Sequence, residues 1–92
     1  MTKTITVRYF ASIREAMGTG EETWATTAPT VAALRQELAG RSAQAALALA
    51  EDQPVRLALN QTMCPPDAPI APGDEVAFFP PVTGGEAVFS GN

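Results

Sequence analysis

The residues most able to take part in chemistry stand near the end of the chain, in the stretch DEVAFFPPVTGG at residues 74–85. An apolar run leads into two prolines, and the pair Gly84 and Gly85 follows. Because glycine has no Cβ, a narrow channel in a partner enzyme can admit this pair. The side chains here supply no nucleophile. The only group with useful chemistry is a backbone carboxylate at Gly85, which exists if the chain ends at that residue.

A carboxylate is inert toward acyl transfer until one of its oxygens is replaced by a better leaving group. ATP supplies such a group by forming an acyl-adenylate, and sulfide then gives a thiocarboxylate. A tail with this chemistry is a tethered cofactor, whose tip is carried between active sites while the folded scaffold binds partners. From Pro80 to Gly85 the arm spans roughly 20 Å when fully extended. The competing interpretation is that the glycine pair is only a flexible turn.

The composition of the chain argues against several classes of function. The chain has 92 residues, no histidine, one cysteine and a formal net charge of −4. Its length predicts one domain. The lack of histidine removes the usual general base and the commonest transition-metal ligand, so no metal site is expected. Acidity argues against nucleic-acid binding. The single Cys64 allows no internal disulfide and is expected to be an unreactive thiol. No apolar run is long enough for a membrane helix and no signal peptide is evident, so the predicted location is cytoplasmic.

The periodicity of apolar residues predicts the elements that must position this tail. In chain order they are a strand at 3–10, a short helix closing on Gly18, a strand at 21–28, a helix from Thr30 to Gly40, a short helix capped by Ser42, a strand at 55–60, a minor edge strand and a last strand at 75–79. Strands around one main helix, without regular βαβ alternation, indicate an α+β fold of the β-grasp kind: a mixed sheet with the helix on one face. We assign residues 1–81 to this domain, 82–85 to a flexible Gly-Gly tail and 86–92 to a C-terminal extension.

Two adjacent aromatic residues end the last strand. Phe78 and Phe79 must point to opposite faces of the sheet, because successive strand side chains alternate. One ring can pack on the helix, and the other then faces the open side. A large exposed aromatic is costly there, so the sequence predicts a partner protein on that face.

The stretch DEVAFFPPVTGG resembles the C-terminus of the sulfur-carrier subunits of molybdopterin synthase, which are ubiquitin-like β-grasp proteins. VRYFASIREAMG, PTVAALRQEL and ALNQTM are similar to other parts of the same family, so the resemblance covers residues 3–85. It implies that Gly85 is adenylated and then thiocarboxylated, with Gly84 as its slender neighbour. It also implies a partner-binding segment made of Phe78, Phe79, Pro80, Pro81, Val82 and Thr83.

The resemblance further implies a set of partners and a reaction. The large subunit of the synthase, expected as two copies of each chain in a heterotetramer, holds cyclic pyranopterin monophosphate and receives the sulfur. An adenylyltransferase uses Mg-ATP to activate the tail, and a sulfurtransferase supplies the sulfur again. The carrier itself binds no cofactor and is not a catalyst alone. Alternatives are a sulfur carrier for thiamine or cysteine synthesis, a ubiquitin-like protein modifier, and a plain interaction module with an inert tail.

The chain departs from this family after Gly85, because residues 86–92, EAVFSGN, follow the glycine pair. An amide bond after Gly85 leaves no carboxylate there to adenylate. Three explanations remain open: a protease removes the extension, the extension was added during cloning, or this copy is inactive as a carrier.

Overall fold

The computed structural model describes residues 2–81. The predicted tail at 82–85 and the extension at 86–92 therefore lie outside the described residues. The elements in chain order are β1 (Lys3–Tyr9), α1 (Ala11–Met17), β2 (Glu21–Thr26), α2 (Val31–Ala39), α3 (Ala43–Ala48), β3 (Arg56–Leu59), β4 (Thr62–Met63) and β5 (Glu75–Phe79).

The five strands form one mixed sheet in the order β2-β1-β5-β3-β4. Strands β1 and β5 run parallel, with Val7 opposite Val76, and the other neighbours are antiparallel. The last strand of the chain therefore lies in the middle of the sheet, between β1 and β3. The predicted α+β class and mixed sheet are confirmed.

All three helices contribute to one core on the same face of the sheet. The main helix α2 begins at Thr30, whose hydroxyl accepts a hydrogen bond from the Ala33 amide at 3.2 Å. Ser42 caps α3 in the same way, accepting from Ala45 at 3.0 Å. These caps satisfy amides that have no partner within the helix. The buried members of this core include Ile5, Val7, Tyr9, Ile13, Val31, Leu34, Leu38, Leu49, Val76 and Phe78.

Helix α3 ends earlier than predicted. The sequence pattern AQAALALA indicates a helix over 43–50 before Pro54, whereas its last helical residue is Ala48. The side chain of Arg35 on α2 donates to the backbone carbonyls of Leu49, Ala50 and Gln53. The guanidinium thus holds the connection to β3 in an irregular path, and a sequence pattern does not reveal such long-range capping.

Two turns fix the strands that flank β5. Pro72 and Gly73 turn the chain into β5, and Gly73 has a φ of +86°, as a type II turn requires at that position. Asn60 and Gln61 both have positive φ and join β3 to β4, as in a type I′ hairpin. The Asn60 side chain accepts from the Glu75 amide at 3.0 Å, so the hairpin is tied to the start of β5.

A polar cluster closes the core beside β2. The Tyr9 hydroxyl donates to Glu22 at 2.6 Å, and Glu22 also pairs with Arg41. The Arg41 guanidinium lies 4.6 Å from the ring centre of Trp24. Burial of the phenol, followed by its bond to the Glu22 carboxylate, raises the pKa of Tyr9 well above its ordinary value.

Tyr9 is the only tyrosine of the chain, so its ionisation can be followed directly by absorbance. We expect the phenol of the folded protein to titrate well above pH 10.0, its ordinary pKa, and to return to that value in denaturant. Because the folded pKa is raised, the contribution to stability is complete below about pH 10 and is lost as the pH rises above it. In Tyr9→Phe this alkaline loss of stability should shrink. A phenol that titrates normally in the folded protein would contradict the burial argument.

Candidate functional site

The chain leaves the sheet from its central strand. Strand β5 ends at Phe79, and the half-buried Pro80 and Pro81 follow. Proline has no N–H to donate to a ladder, so the pair stops the strand as predicted. The predicted site residues Val82, Thr83, Gly84 and Gly85 lie outside the described residues, and their roles stay predictions.

Phe78 anchors the strand from which the tail departs. Its ring is completely buried in the main core and stacks on Tyr9, with ring centres 6.2 Å apart. The Phe10 amide donates to the Phe78 carbonyl at 3.2 Å, which extends the link between the first and last strands. Phe78 therefore fixes the base of the tail from inside, and its ring does not face a partner.

Phe79 lies on the opposite, open face of the sheet, as predicted. Its ring packs edge-on against Phe10 at 6.1 Å between centres, and Ala58 and Ala77 complete a second small cluster. Only 9% of Phe79 is exposed. The chain itself thus covers most of this ring, so the cost of exposing Phe79 is a weaker argument for a partner than the sequence suggested.

Two other side chains on the open face support a partner there. Met63 on β4 is 54% exposed, although it is a large apolar residue. Phe10 lies beside Phe79 on the same face. Neither Met63 nor Phe10 was predicted from the sequence to contact a partner. The signal for Phe10 was its position directly after β1, where alternation with the buried Tyr9 places it on the same side as Arg8, opposite to the core. Ala11, which has a φ of +54°, then turns the chain toward the helical face.

These residues form a shallow depression of about 600 Å³ on the open face. Its lining consists of Arg8, Phe10, Ala58, Gln61, Met63, Glu75, Ala77 and Phe79. We call this surface the open-face depression.

Charged side chains border the apolar centre of the open-face depression. Arg8 lies 5.4 Å from the ring centre of Phe10 and donates to Glu75 at 3.4 Å. Its Nε is buried, lacks a hydrogen bond and lies 3.9 Å from a Glu21 oxygen. Arg56 is exposed and stands opposite Phe79 in the strand register. An apolar centre with a charged border is typical of a protein interface.

The described residues offer little other chemistry. No group of three or more potential metal ligands occurs within residues 2–81. Burial raises the pKa of the Cys64 thiol, so less of it is in the nucleophilic thiolate form. Cys64 is thus poorly suited to carry sulfur. Within the same part of the chain, no helix has the length and apolarity needed to cross a membrane.

The fold and the exit of the chain from its central strand define a ubiquitin-like β-grasp protein. The match of a family model then identifies the family: the chain belongs to the ThiS family, whose model matches residues 7–85. That match ends at Gly85 and leaves residues 86–92 outside it.

Individual relatives agree with this assignment. The chain is 53% identical over 81 residues to the Escherichia coli protein named molybdopterin synthase sulfur carrier subunit, covering 88% of this chain and 99% of that protein. A Haloferax volcanii protein solved in solution superposes with a TM-score of 0.77 at 29% identity, covering 91% of this chain and 88% of that one. A Helicobacter pylori chain was solved in a complex of subunits 1 and 2 of molybdopterin-converting factor. It superposes with a TM-score of 0.57 at 27% identity, covering 89% of this chain and 99% of that chain. The β-grasp prediction and the predicted family are confirmed.

The two adjacent aromatic residues should differ in their effect on stability. Phe78→Ala leaves a hole in the main core and should lower the free energy of unfolding by about 3–5 kcal/mol. Phe79→Ala should cost no more than about half of that, because the small open-face cluster borders solvent and can collapse. Urea unfolding of both variants measures the difference. Equal losses would contradict the separation of the two rings into distinct clusters.

Proposed function

We propose that this chain is the sulfur-carrier subunit of a molybdopterin synthase, with Gly85 as the residue that carries the sulfur. The observation that supports this most is the 53% identity to the Escherichia coli carrier over 99% of that protein's length. The end of the family match at Gly85 supports the position of the reactive carboxylate.

The chemistry takes place at the backbone of Gly85 in three steps. First, the carboxylate attacks the α-phosphate of ATP on an activating enzyme, releasing pyrophosphate and leaving an acyl-adenylate. Second, hydrosulfide delivered by a sulfurtransferase attacks the acyl carbon and displaces AMP, which leaves a thiocarboxylate and releases one proton. Third, the thiocarboxylate sulfur bonds to a carbon of cyclic pyranopterin monophosphate in the large subunit. Water then attacks the acyl carbon of Gly85, the acyl carbon–sulfur bond breaks, and the carboxylate is restored while the sulfur stays on the pterin. Magnesium and ATP belong to the activating enzyme in this scheme.

The structure supports separate roles for the folded domain, which holds the base of the tail, and for the tail, which carries the reactive group. Phe78 in the core and the pairing of β5 on both sides hold the tail's base rigidly. A fixed base limits the directions in which the following residues can search, which favours delivery of the tip to a narrow site. The chain contains no histidine, and its only thiol has a raised pKa. The catalytic groups for these steps are therefore assigned to the partners.

The open-face depression is the proposed docking surface for the large subunit, in an assembly of two copies of each chain. The complex of subunits 1 and 2 from Helicobacter pylori supports a partner of this kind. Met63 and the Phe10–Phe79 pair offer the apolar centre, while Arg8 and Arg56 flank it. A fitting partner surface presents an apolar side chain to this centre and a carboxylate to the arginines.

The extension at 86–92 must be removed before this chemistry begins, because its amide bond occupies the Gly85 carbonyl. We propose that a protease cuts after Gly85, the residue at which the family match ends.

Sulfur loading can be measured by intact mass. A chain ending at Gly85, incubated with the activating enzyme, Mg-ATP and a sulfur donor, should gain about 16 Da as sulfur replaces oxygen. The full 92-residue chain should gain nothing, because it has no carboxylate at Gly85. Cys64→Ala in the shorter chain should load as well as the parent.

The controls separate this proposal from its rivals. A gain of about 32 Da that disappears in Cys64→Ala would place the sulfur on the thiol as a persulfide and overturn the proposal. Isopeptide-linked adducts on other proteins would instead indicate a protein modifier. A loaded chain that fails to convert cyclic pyranopterin monophosphate with the large subunit would indicate a carrier for another product, such as thiamine or cysteine.

Docking on the open face can be tested with two matched surface variants. Met63 and Leu47 are the two exposed large hydrophobic residues of the described part, and they lie in different depressions. Met63→Glu should weaken binding of the large subunit at least roughly tenfold, because it puts a charge into the apolar centre. Leu47→Glu should leave the affinity nearly unchanged. Titration calorimetry on chains ending at Gly85 measures both, and the reverse order would place the interface on the helical side.

A further inference from the structure

The wall of the open-face depression that contains Met63 has little support of its own. Met63 belongs to β4, a strand of two residues that lies at the edge of the sheet beside β3. Its side chain is 54% exposed, so burial contributes little to holding it in place. A short two-stranded hairpin is only marginally stable in water. The position of Met63 therefore depends on contacts made elsewhere in the β3–β4 hairpin.

Asn60, in the turn of this hairpin, makes such contacts. Its side chain donates from Nδ2 to Asp74 Oδ1 at 3.1 Å, and its Oδ1 accepts from the Glu75 amide at 3.0 Å. Its backbone amide donates to the Glu75 carbonyl at 2.7 Å. The Glu75 side chain itself lines the depression and accepts from Arg8 on the other wall. Asn60 thus ties the hairpin to the start of β5, between the two walls.

The start of β5 is in turn fixed to the centre of the sheet. The Thr6 amide on β1 donates to the Asp74 carbonyl at 3.0 Å. The Asp74 carboxylate also accepts from the Ala71 amide at 2.8 Å, which closes the turn before β5. Asn60 therefore connects a weakly supported edge hairpin to a well-supported part of the domain.

The backbone of Asn60 explains why an asparagine suits this position. Its φ is +52°, in the left-handed region that asparagine tolerates better than most residues. Glycine adopts such a φ just as easily but has no side chain to reach Asp74 and Glu75. The turn conformation and the side-chain contacts can therefore be separated by substitution.

We propose that Asn60 is a positioning residue for docking: it ties the β3–β4 hairpin to β5 and so presents Met63 to the large subunit as a preformed wall of the open-face depression. This inference rests on the proposed docking surface. Without the Asn60 side chain, β4 opens more often and must be ordered when the partner binds. Ordering a segment on binding lowers the affinity.

Amide hydrogen exchange on the full 92-residue chain tests the first step, with Asn60→Gly compared to Ser42→Ala. Ser42→Ala also removes a side-chain hydrogen bond, but on the helical side, and is the matched control. The Cys64 amide, just beyond β4, donates to the Leu57 carbonyl on β3 at 3.1 Å. It should exchange at least roughly threefold faster in Asn60→Gly, because the edge strand opens locally. In Ser42→Ala it should exchange at the parent rate.

Affinity for the large subunit tests the second step, by titration calorimetry on chains ending at Gly85. Asn60→Gly should weaken binding roughly threefold to tenfold, because β4 must then be ordered on binding. In a Met63→Ala background the same substitution should change the affinity by less than about twofold, since the side chain that Asn60 positions is gone. Ser42→Ala should leave the affinity unchanged.

The inference about Asn60 is overturned if Asn60→Gly leaves either the Cys64 exchange or the affinity unchanged. It is also overturned if the affinity falls equally with and without the Met63 side chain, since Asn60 would then act by another route. An equal fall in Ser42→Ala would indicate a general effect of lower stability instead. Failure of the docking surface itself is distinguishable, because Met63→Glu would then bind the large subunit as tightly as the parent.

Discussion

The parallel pairing of the first and last strands is the constraint on which the rest of the structure depends. Strands β1 and β5 lie side by side in the middle of the sheet, with Tyr9 opposite Phe78. Their two rings stack inside the core, so a shift of register would expose both. Since β5 is also paired with β3, the end of the folded domain is held on both sides. The following prolines thus leave from a rigid point.

This arrangement assigns different tasks to the two faces of the sheet. The helical face contains the main core and provides the stability of the domain. The open face has only a small cluster around Phe79 and is bordered by Arg8 and Arg56. A surface with little burial and mixed polarity loses little stability when it evolves to fit a partner. Pro80 and Pro81 follow β5 at the edge between these faces, so in the proposed complex docking on the open face leaves the end of β5 free.

Local signals in the sequence predicted most of the fold. Each of these signals acts within a few residues of chain: the caps Thr30 and Ser42, the αL residue Gly18 and the alternation in β1. The structure contains all of them. The end of α3 was predicted two residues too late, because it depends on Arg35 reaching carbonyls that are distant in sequence. Pattern alone does not show such a contact.

The candidate site was harder to predict than the fold. Alternation correctly separated Phe78 from Phe79. It did not show that Phe10 covers Phe79, because that contact joins the two ends of the chain. Met63 was missed for a related reason: its two-residue strand acquires a face only through pairing with Ala58. The roles of the glycines rest on the family and on chemistry, since they lie outside the described residues.

In the proposed function, a carboxylate freed at Gly85 is the reactive group of the protein and the folded domain positions it. Intact mass spectrometry of the protein isolated from its native cell tests this most directly. We expect a chain that ends at Gly85, with a fraction heavier by the difference between sulfur and oxygen. A native protein that retains residues 86–92 while the cell makes molybdopterin through it would contradict the account.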